Sequence, residues 1–148
     1  MMNRFNIALC ALLLPLTGYA ADYITNADEI VSNTDWDKMQ TITVEMDEHS
    51  YSPENLEFKA GQPYKLELKN LGEKKHYFTA PEFYKSVATR KAQTRDGEIK
   101  APYFKAIEVL VGGQVDLYFV PVTKGDYASY CTIDDHREQG MEGKISVR

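Results

Sequence analysis

The residues best suited to chemistry lie near the C-terminus, where a thiol, an imidazole and a thioether follow one another at equal spacing. Cys131, His136 and Met141 form a Cys-x4-His-x4-Met pattern between two short strand-like segments. Thiolate and thioether sulfur atoms are soft metal ligands, and imidazole binds several transition metals, copper among them. The pattern therefore indicates a metal site built largely on one loop.

The kinds of donor on this loop favour copper. Two histidines and one cysteine in a trigonal arrangement, with a weak and distant axial methionine, form the blue-copper electron-transfer site. Three of these four donors are already on the loop, so the fourth would be a second histidine. Elsewhere the chain has only His49 and His76, and either of them is able to supply that donor.

The first 20 residues are typical of a secretory signal peptide. Arg4 supplies a short positive region, an apolar run of 10 residues follows from Ile7 to Leu16, and small residues precede a predicted cleavage site after Ala20. The apolar run is too short to span a bilayer, so we expect no stable membrane insertion after cleavage. An uncleaved anchor is the alternative. The predicted location is the periplasm.

Cleavage would leave Cys131 as the only cysteine. Exported domains usually use cysteines in pairs, so a single thiol needs an explanation. A buried, inert thiol is the alternative to a metal ligand, and the regularly spaced His136 and Met141 favour the metal. The formal net charge of the whole chain is −5, and loss of Arg4 makes it one unit more negative. Export and negative charge together argue against nucleic-acid binding.

The remainder of the chain predicts an all-β fold. From Thr41 onward, about eight short segments rich in β-branched and aromatic residues alternate with turns that contain glycine or proline, as in antiparallel sandwiches and barrels. These segments are residues 41–46, 55–59, 64–70, 76–79, 105–111, 115–120, 126–131 and 144–147. The predicted organisation is a signal peptide at residues 1–20, an acidic N-terminal extension at 21–40 and a copper-binding domain at 41–148.

One connection is much longer than the others. Residues 81–104 separate the fourth and fifth predicted strands. Within them, Phe83–Ala92 is compatible with an irregular helix, and Thr94–Glu98 resembles a turn. A connection of this length in a compact sandwich usually has a function or crosses between the sheets.

From about Thr41 to Arg148 the chain resembles the cupredoxins, the small copper proteins that include plastocyanin, azurin, pseudoazurin and rusticyanin. The spacing of the C-terminal loop is similar to that of rusticyanin and auracyanin. The other segments that carry the resemblance are Tyr51–Gly61, the Asn70-Leu-Gly72 turn before His76-Tyr-Phe78, Val111-Gly-Gly113 before Val115–Phe119, and Gly125–Cys131.

The resemblance implies a Greek-key β-sandwich that binds one copper ion, cycling between Cu(I) and Cu(II). Carried over by position, the ligands would be His76, Cys131, His136 and an axial Met141. His49 lies in a turn just before the Tyr51-Ser-Pro53 segment, where a solvated histidine is favoured over a ligand.

The chain also departs from the family beside its second ligand histidine. Many cupredoxins surround this histidine with apolar residues that serve as a docking patch, whereas here Asp134 and Asp135 precede His136. We therefore expect a polar, mostly acidic rim, with a carboxylate that perturbs the metal as one alternative and a simple solvated loop as the other.

Two functions follow from the resemblance. The first is one-electron transfer with a redox partner protein. The second is periplasmic copper handling or copper tolerance, in which the chain binds or buffers copper, alone or with a copper-handling protein. An enzyme is not expected, because multicopper oxidases and nitrite reductases need further coppers on additional histidines, and this chain has three histidines in all.

Overall fold

The computed structural model describes residues 22–148, and the predicted signal peptide at residues 1–20 lies outside them. Over the described residues the chain forms eleven strands and two short α-helices. The strands are β1 (Gln40–Asp47), β2 (Ser50–Ser52), β3 (Asn55–Phe58), β4 (Tyr64–Asn70), β5 (His76–Thr79), β6 (Val87–Thr94), β7 (Gly97–Ile99), β8 (Ala106–Val109), β9 (Gln114–Pro121), β10 (Gly125–Tyr130) and β11 (Glu142–Val147). The helices are α1 (Ala27–Asn33) and α2 (Pro81–Lys85), and Trp36–Lys38 forms one turn of 3-10 helix.

The strands form two sheets, which confirms the predicted β-sandwich. One sheet has six strands in the order β2-β1-β4-β9-β6-β7, and the other has five in the order β3-β11-β10-β5-β8. The sequence predicted antiparallel pairing throughout, but two pairs of strands are parallel: β1 with β4, and β3 with β11. Between β1 and β4 the chain runs through β2 in the same sheet and β3 in the other, and so re-enters the first sheet in its original direction.

The core lies between the two sheets and follows the alternation of the sequence. On β4, Tyr64, Leu66 and Leu68 are buried while the residues between them are partly exposed. Phe58 on β3 and Phe119 on β9 bring aromatic rings from the two sheets together, with 5.2 Å between centroids. Each fully buried side chain of this size stabilises the fold by roughly 1.5–3 kcal/mol, so these contacts hold together the framework that carries the loops.

The long connection at residues 81–104 is mostly strand. The expected irregular helix over Phe83–Ala92 is wrong beyond Lys85, because α2 ends there and Val87–Thr94 forms β6. β6 pairs with β9 across a bulge, and β7 continues the sheet at its edge. The predicted turn is present where Thr94 pairs with Gly97. Since β5 belongs to the five-stranded sheet and β6 to the six-stranded sheet, the connection crosses between the sheets.

The N-terminal extension contacts this same region. The Arg90 guanidinium on β6 lies 4.6 Å from the centre of the Trp36 ring, a distance typical of cation–π contacts. Lys85 forms an ion pair of 2.6 Å with Asp22. Asn26 precedes α1 at the capping position, although its side chain makes no capping hydrogen bond. Among the described residues, no helix is long and apolar enough to cross a membrane.

Candidate metal centre

Two donor side chains from one loop and a third from a distant strand converge at one end of the sandwich. The Cys131 Sγ lies 3.9 Å from the His76 Nδ1 and 3.8 Å from the His136 Nδ1. The donor atoms of the three residues all lie within 4.8 Å of one another, and all three residues are buried. Both imidazoles direct Nδ1 towards the sulfur, so their Nε2 atoms face away from the centre.

His76 is positioned by regular sheet structure. It is the first residue of β5 and pairs with Val109 on β8. The chain before it is held by Asn70, whose buried side chain donates hydrogen bonds to the Lys74 carbonyl at 2.8 Å and the Val109 carbonyl at 2.9 Å. The Asn70 Oδ1 also accepts a hydrogen bond from the Gly72 N–H at 2.9 Å. The Asn-x-Gly turn noted in the sequence thus fixes where the strand and its histidine begin.

The other donors lie on the connection between β10 and β11, which closes back on itself. The Cys131 N–H donates to the Met141 carbonyl at 3.0 Å, and the Met141 N–H donates to the His136 carbonyl at 2.9 Å. Gly140 has a φ of 105°, in the left-handed region that favours glycine. These backbone contacts link Met141 to both loop donors, and its side chain is completely buried.

His49, the alternative fourth donor, lies outside the cluster of three donors. Its ring packs edge-on against His136, with 4.9 Å between ring centroids and an interplanar angle of 82°. His49 was expected to be solvated, but it is half-buried. His136 itself is only 1% exposed. The edge of this ligand candidate is therefore covered by another imidazole.

The surroundings of His76 favour its neutral imidazole over the charged form. Burial, together with the neighbouring His136, lowers the pKa of His76 below its ordinary value, and Glu48 acts in the opposite direction. A neutral imidazole is the form that binds metals. The Tyr77 N–H faces the Cys131 Sγ at 3.5 Å, and hydrogen bonding of this kind around a cysteine sulfur tunes the potential of a copper site.

Sequence reasoning missed Glu48. Its Oε1 lies 3.7 Å from the His76 Nε2 and accepts hydrogen bonds from the backbone N–H groups of Glu73 at 2.7 Å and Lys74 at 3.0 Å. Hydrogen bonds from these backbone N–H groups stabilise the charged carboxylate and lower the pKa of Glu48. The only signal in the sequence was its position beside His49 in the Asp47–Ser50 turn.

The two aspartates of the loop form an exposed polar rim, as expected. Asp134 lies 3.6 Å from the Lys74 Nζ. Asp135 accepts a hydrogen bond of 2.7 Å from the Gln139 side chain, which lowers the pKa of this carboxyl group. Neither carboxylate belongs to the buried group of donor atoms.

These donors fit one copper ion. The thiol has no disulfide partner among the described residues and is buried beside two imidazoles, and the backbone of Cys131 is hydrogen-bonded to that of the buried Met141. Soft sulfur combined with imidazole is the donor chemistry of blue-copper centres.

The comparisons with known proteins agree with this chemistry. The family model described as a cupredoxin-like domain matches residues 20–147. No curated protein is similar enough to this chain to count as a relative. Among solved structures, reduced auracyanin from the photosynthetic bacterium Roseiflexus castenholzii superposes with a TM-score of 0.52 at 19% identity, covering 73% of this chain and 96% of that one.

Larger copper proteins contain a similar fold. A multicopper oxidase from Pseudomonas thermotolerans superposes with a TM-score of 0.60 at 19% identity over 78% of this chain. A multicopper oxidase from Campylobacter jejuni, described as a metallo-oxidase, gives a TM-score of 0.54 at 17% identity over 74% of this chain. The chain covers only 31% and 30% of these two oxidases, and identities this low indicate a shared fold alone.

Proposed function

Because the chain belongs to the cupredoxin family, we propose that it is an exported protein that binds one copper ion through His76, Cys131, His136 and Met141 and transfers single electrons. The observation that supports this most directly is the convergence of two imidazole Nδ1 atoms on a buried thiol, at 3.9 and 3.8 Å from its sulfur. Met141 enters the proposal through its burial and its backbone contacts with both loop donors.

The protein's own residues would hold the donors still while the charge of the centre changes. Bound copper supplies the Cu(I)/Cu(II) couple. His76 is fixed by the sheet, and Cys131 is fixed by the backbone bond to Met141 and by its contact with the Tyr77 N–H. A donor set held in place by a packed framework moves little, so little reorganisation opposes electron transfer.

The route to a partner protein would begin at His136 and pass His49. His136 is 1% exposed, so its ring offers almost no surface to a partner. The half-buried His49 ring packs against it at 4.9 Å. We therefore assign His49 as the outermost group of the electron path, in place of a directly exposed His136 edge.

The test is to load the purified protein with Cu(II) and to record its visible absorption and EPR spectra. We expect one copper per chain and an intense thiolate-to-copper charge-transfer band, which Cys131→Ser abolishes while the circular dichroism spectrum shows an unchanged fold. A band that survives in Cys131→Ser would refute the assignment of the thiolate ligand.

Copper handling is the second candidate function, and the burial of the two proposed ligand histidines favours it. His76 and His136 are 0% and 1% exposed, and the loop above them carries the exposed Asp134 and Asp135 rather than an apolar patch. Slow electron self-exchange, measured from NMR line broadening in mixtures of oxidised and reduced protein, would favour handling, as would copper sensitivity of cells that lack the protein. Fast self-exchange would favour the carrier.

We also propose that the mature protein acts in the periplasm and that the chain is not an enzyme by itself. The apolar run near the N-terminus supports export. The histidine count supports the second point, because the chain has three histidines and the proposed site uses two. Residues 41–148 would form the copper-binding domain and residues 21–40 its extension, although the family match begins earlier, at residue 20.

A further inference from the structure

The outward-facing nitrogen of His76 has no hydrogen-bond partner within the described residues, although it is buried. Its Nε2 is among the few buried polar side-chain atoms that lack a partner, and the residue is 0% exposed. A metal-binding histidine almost always donates its second ring N–H to a carboxylate, a carbonyl or a water molecule. An acceptor should therefore face this atom.

The Glu48 carboxylate is in that place. Its Oε1 lies 3.7 Å from the His76 Nε2, within ion-pair distance but longer than a hydrogen bond. Two backbone N–H groups, from Glu73 and Lys74, fix the same oxygen at 2.7 and 3.0 Å. These bonds hold the carboxylate against the ring, because a free glutamate side chain would otherwise sample several rotamers.

Gly72 makes room for this contact. A Cβ atom at this position would lie 2.7 Å from the Glu48 Oε1 and 2.9 Å from the His76 Nε2. Both distances are too short for carbon, so any larger residue would push the carboxylate and the ring apart. The close approach of the two side chains thus depends on a glycine in the loop that leads to β5.

We propose that Glu48 is a positioning residue for His76, holding its imidazole with the proton on Nε2 and the lone pair of Nδ1 directed at the copper site. This role rests on the proposed function of His76 as a copper ligand. Carboxylate–histidine pairs of this type orient the ring and raise the basicity of the ligand. A fixed negative charge beside a ligand also stabilises Cu(II) relative to Cu(I), because the oxidised ion carries the larger positive charge.

The first experiment uses copper-free protein, so that it does not depend on metal binding. Ring 15N chemical shifts identify the tautomer of His76 in the wild type and in Glu48→Gln, which keeps the shape of the side chain and removes its charge. We expect the Nε2–H tautomer in the wild type and a mixture of tautomers in the variant. The same tautomer in both proteins, or Nδ1–H in the wild type, would overturn the proposal.

The second experiment measures the reduction potential of the copper-loaded proteins. Glu48→Gln should shift the equilibrium towards Cu(I) by up to about tenfold, which is about 59 mV for a one-electron couple. Glu73→Gln is the matched control, because it removes the same charge from an exposed side chain on the neighbouring 70–75 loop, and it should shift the potential by less than a third as much. Equal shifts in the two variants would show a general charge effect and overturn the proposal.

The two experiments also separate this inference from the proposed function. If the wild-type protein gives no copper–thiolate band, the proposed function fails, and the tautomer measurement still decides whether Glu48 orients His76. If the band is present but Glu48→Gln changes neither the tautomer nor the potential, the proposed function stands and the positioning role fails.

Discussion

The two histidines of the candidate site are held in different ways. His76 is on the strand side of the site, formed by β5 and the 70–75 loop, where Asn70 makes three hydrogen bonds with its side chain. His136 is on the loop side, formed by residues 132–140, whose side chains other than His136 are largely exposed. One imidazole is thus fixed by a sheet, and the other by turns of a surface loop.

A single turn contacts both histidines. Glu48 and His49 are the two residues between β1 and β2, and Asp47 pairs with Ser50 on either side of them. Glu48 faces the Nε2 of His76, while His49 packs against the ring of His136. His49 has a φ of 62°, in the left-handed region that some tight turns use at their second central residue. The outer contacts of His76 and His136 therefore come from neighbouring residues with different chemistry, one charged and one aromatic.

The largest expected effect distinguishes a ligand from a covering residue. His76→Ala removes a proposed donor and should lower copper affinity by more than the roughly 10–100-fold typical of losing an outer partner. His49→Ala, the matched control, should leave the charge-transfer band nearly unchanged, because its ring contacts His136 from outside. Competition with a copper chelator, followed through the charge-transfer band, measures the copper affinity of both variants. A site that survives in His76→Ala and is lost in His49→Ala would reverse the assignments of the two residues.

The next effect compares the stability of the two sides. Asn70→Ala removes three hydrogen bonds from a buried side chain, and at about 1 kcal/mol each the free energy of unfolding should fall by roughly 3 kcal/mol. Gln139→Ala removes an exposed side-chain bond to Asp135 on the loop side and should cost about 0.5 kcal/mol or less. Urea unfolding of the copper-free variants tests this difference. Equal losses would mean that the strand side is no more tightly held than the loop.

Met141, the proposed axial ligand, offers a smaller and more specific effect. Met141→Leu should keep copper and the charge-transfer band, because the axial bond is weak, and should raise the reduction potential by tens of millivolts, since about 59 mV corresponds to a tenfold change. Met46→Leu is the control, because Met46 is equally buried. Each change should cost less than about 1.5 kcal/mol of stability. If the potential and spectrum of Met141→Leu match those of Met46→Leu, another axial donor must be sought.

The smallest effect separates the two aspartates of the loop. Asp135→Asn should raise the potential by roughly 20 mV, which is the order expected from about 0.5 kcal/mol between charges about 8 Å apart in water. Asp134→Asn should raise it less, because Lys74 lies 3.6 Å from the Asp134 carboxylate and offsets part of its charge. Voltammetry at low and high salt tests both variants, and the shifts should shrink as salt screens exposed charges. A potential that falls on neutralisation contradicts this account.

The family and most of the strands could be predicted from the sequence. The cupredoxin resemblance is confirmed by the family match over residues 20–147, and the alternating segment at residues 64–70 became β4. The structure of the long connection at residues 81–104 was harder to predict, because the hydrophobic residues of Phe83–Ala92 have no clear period. Its first residues form α2, and Val87 and Ala92 are then buried on β6 against β9. Pairing with a distant strand decided that segment, and local propensity does not encode such pairing.

The candidate metal site also follows in part from the local sequence and in part from the order of the strands. The spacing of Cys131, His136 and Met141 follows from the chain itself, since donors within eleven residues stay close in any compact loop. That His76 joins them, that Glu48 faces its outer nitrogen and that His49 covers His136 depended on which strands became neighbours. These residues lie 28 to 87 positions from the side chains that they contact, so the order of the strands in the two sheets, rather than any local pattern, brings them together.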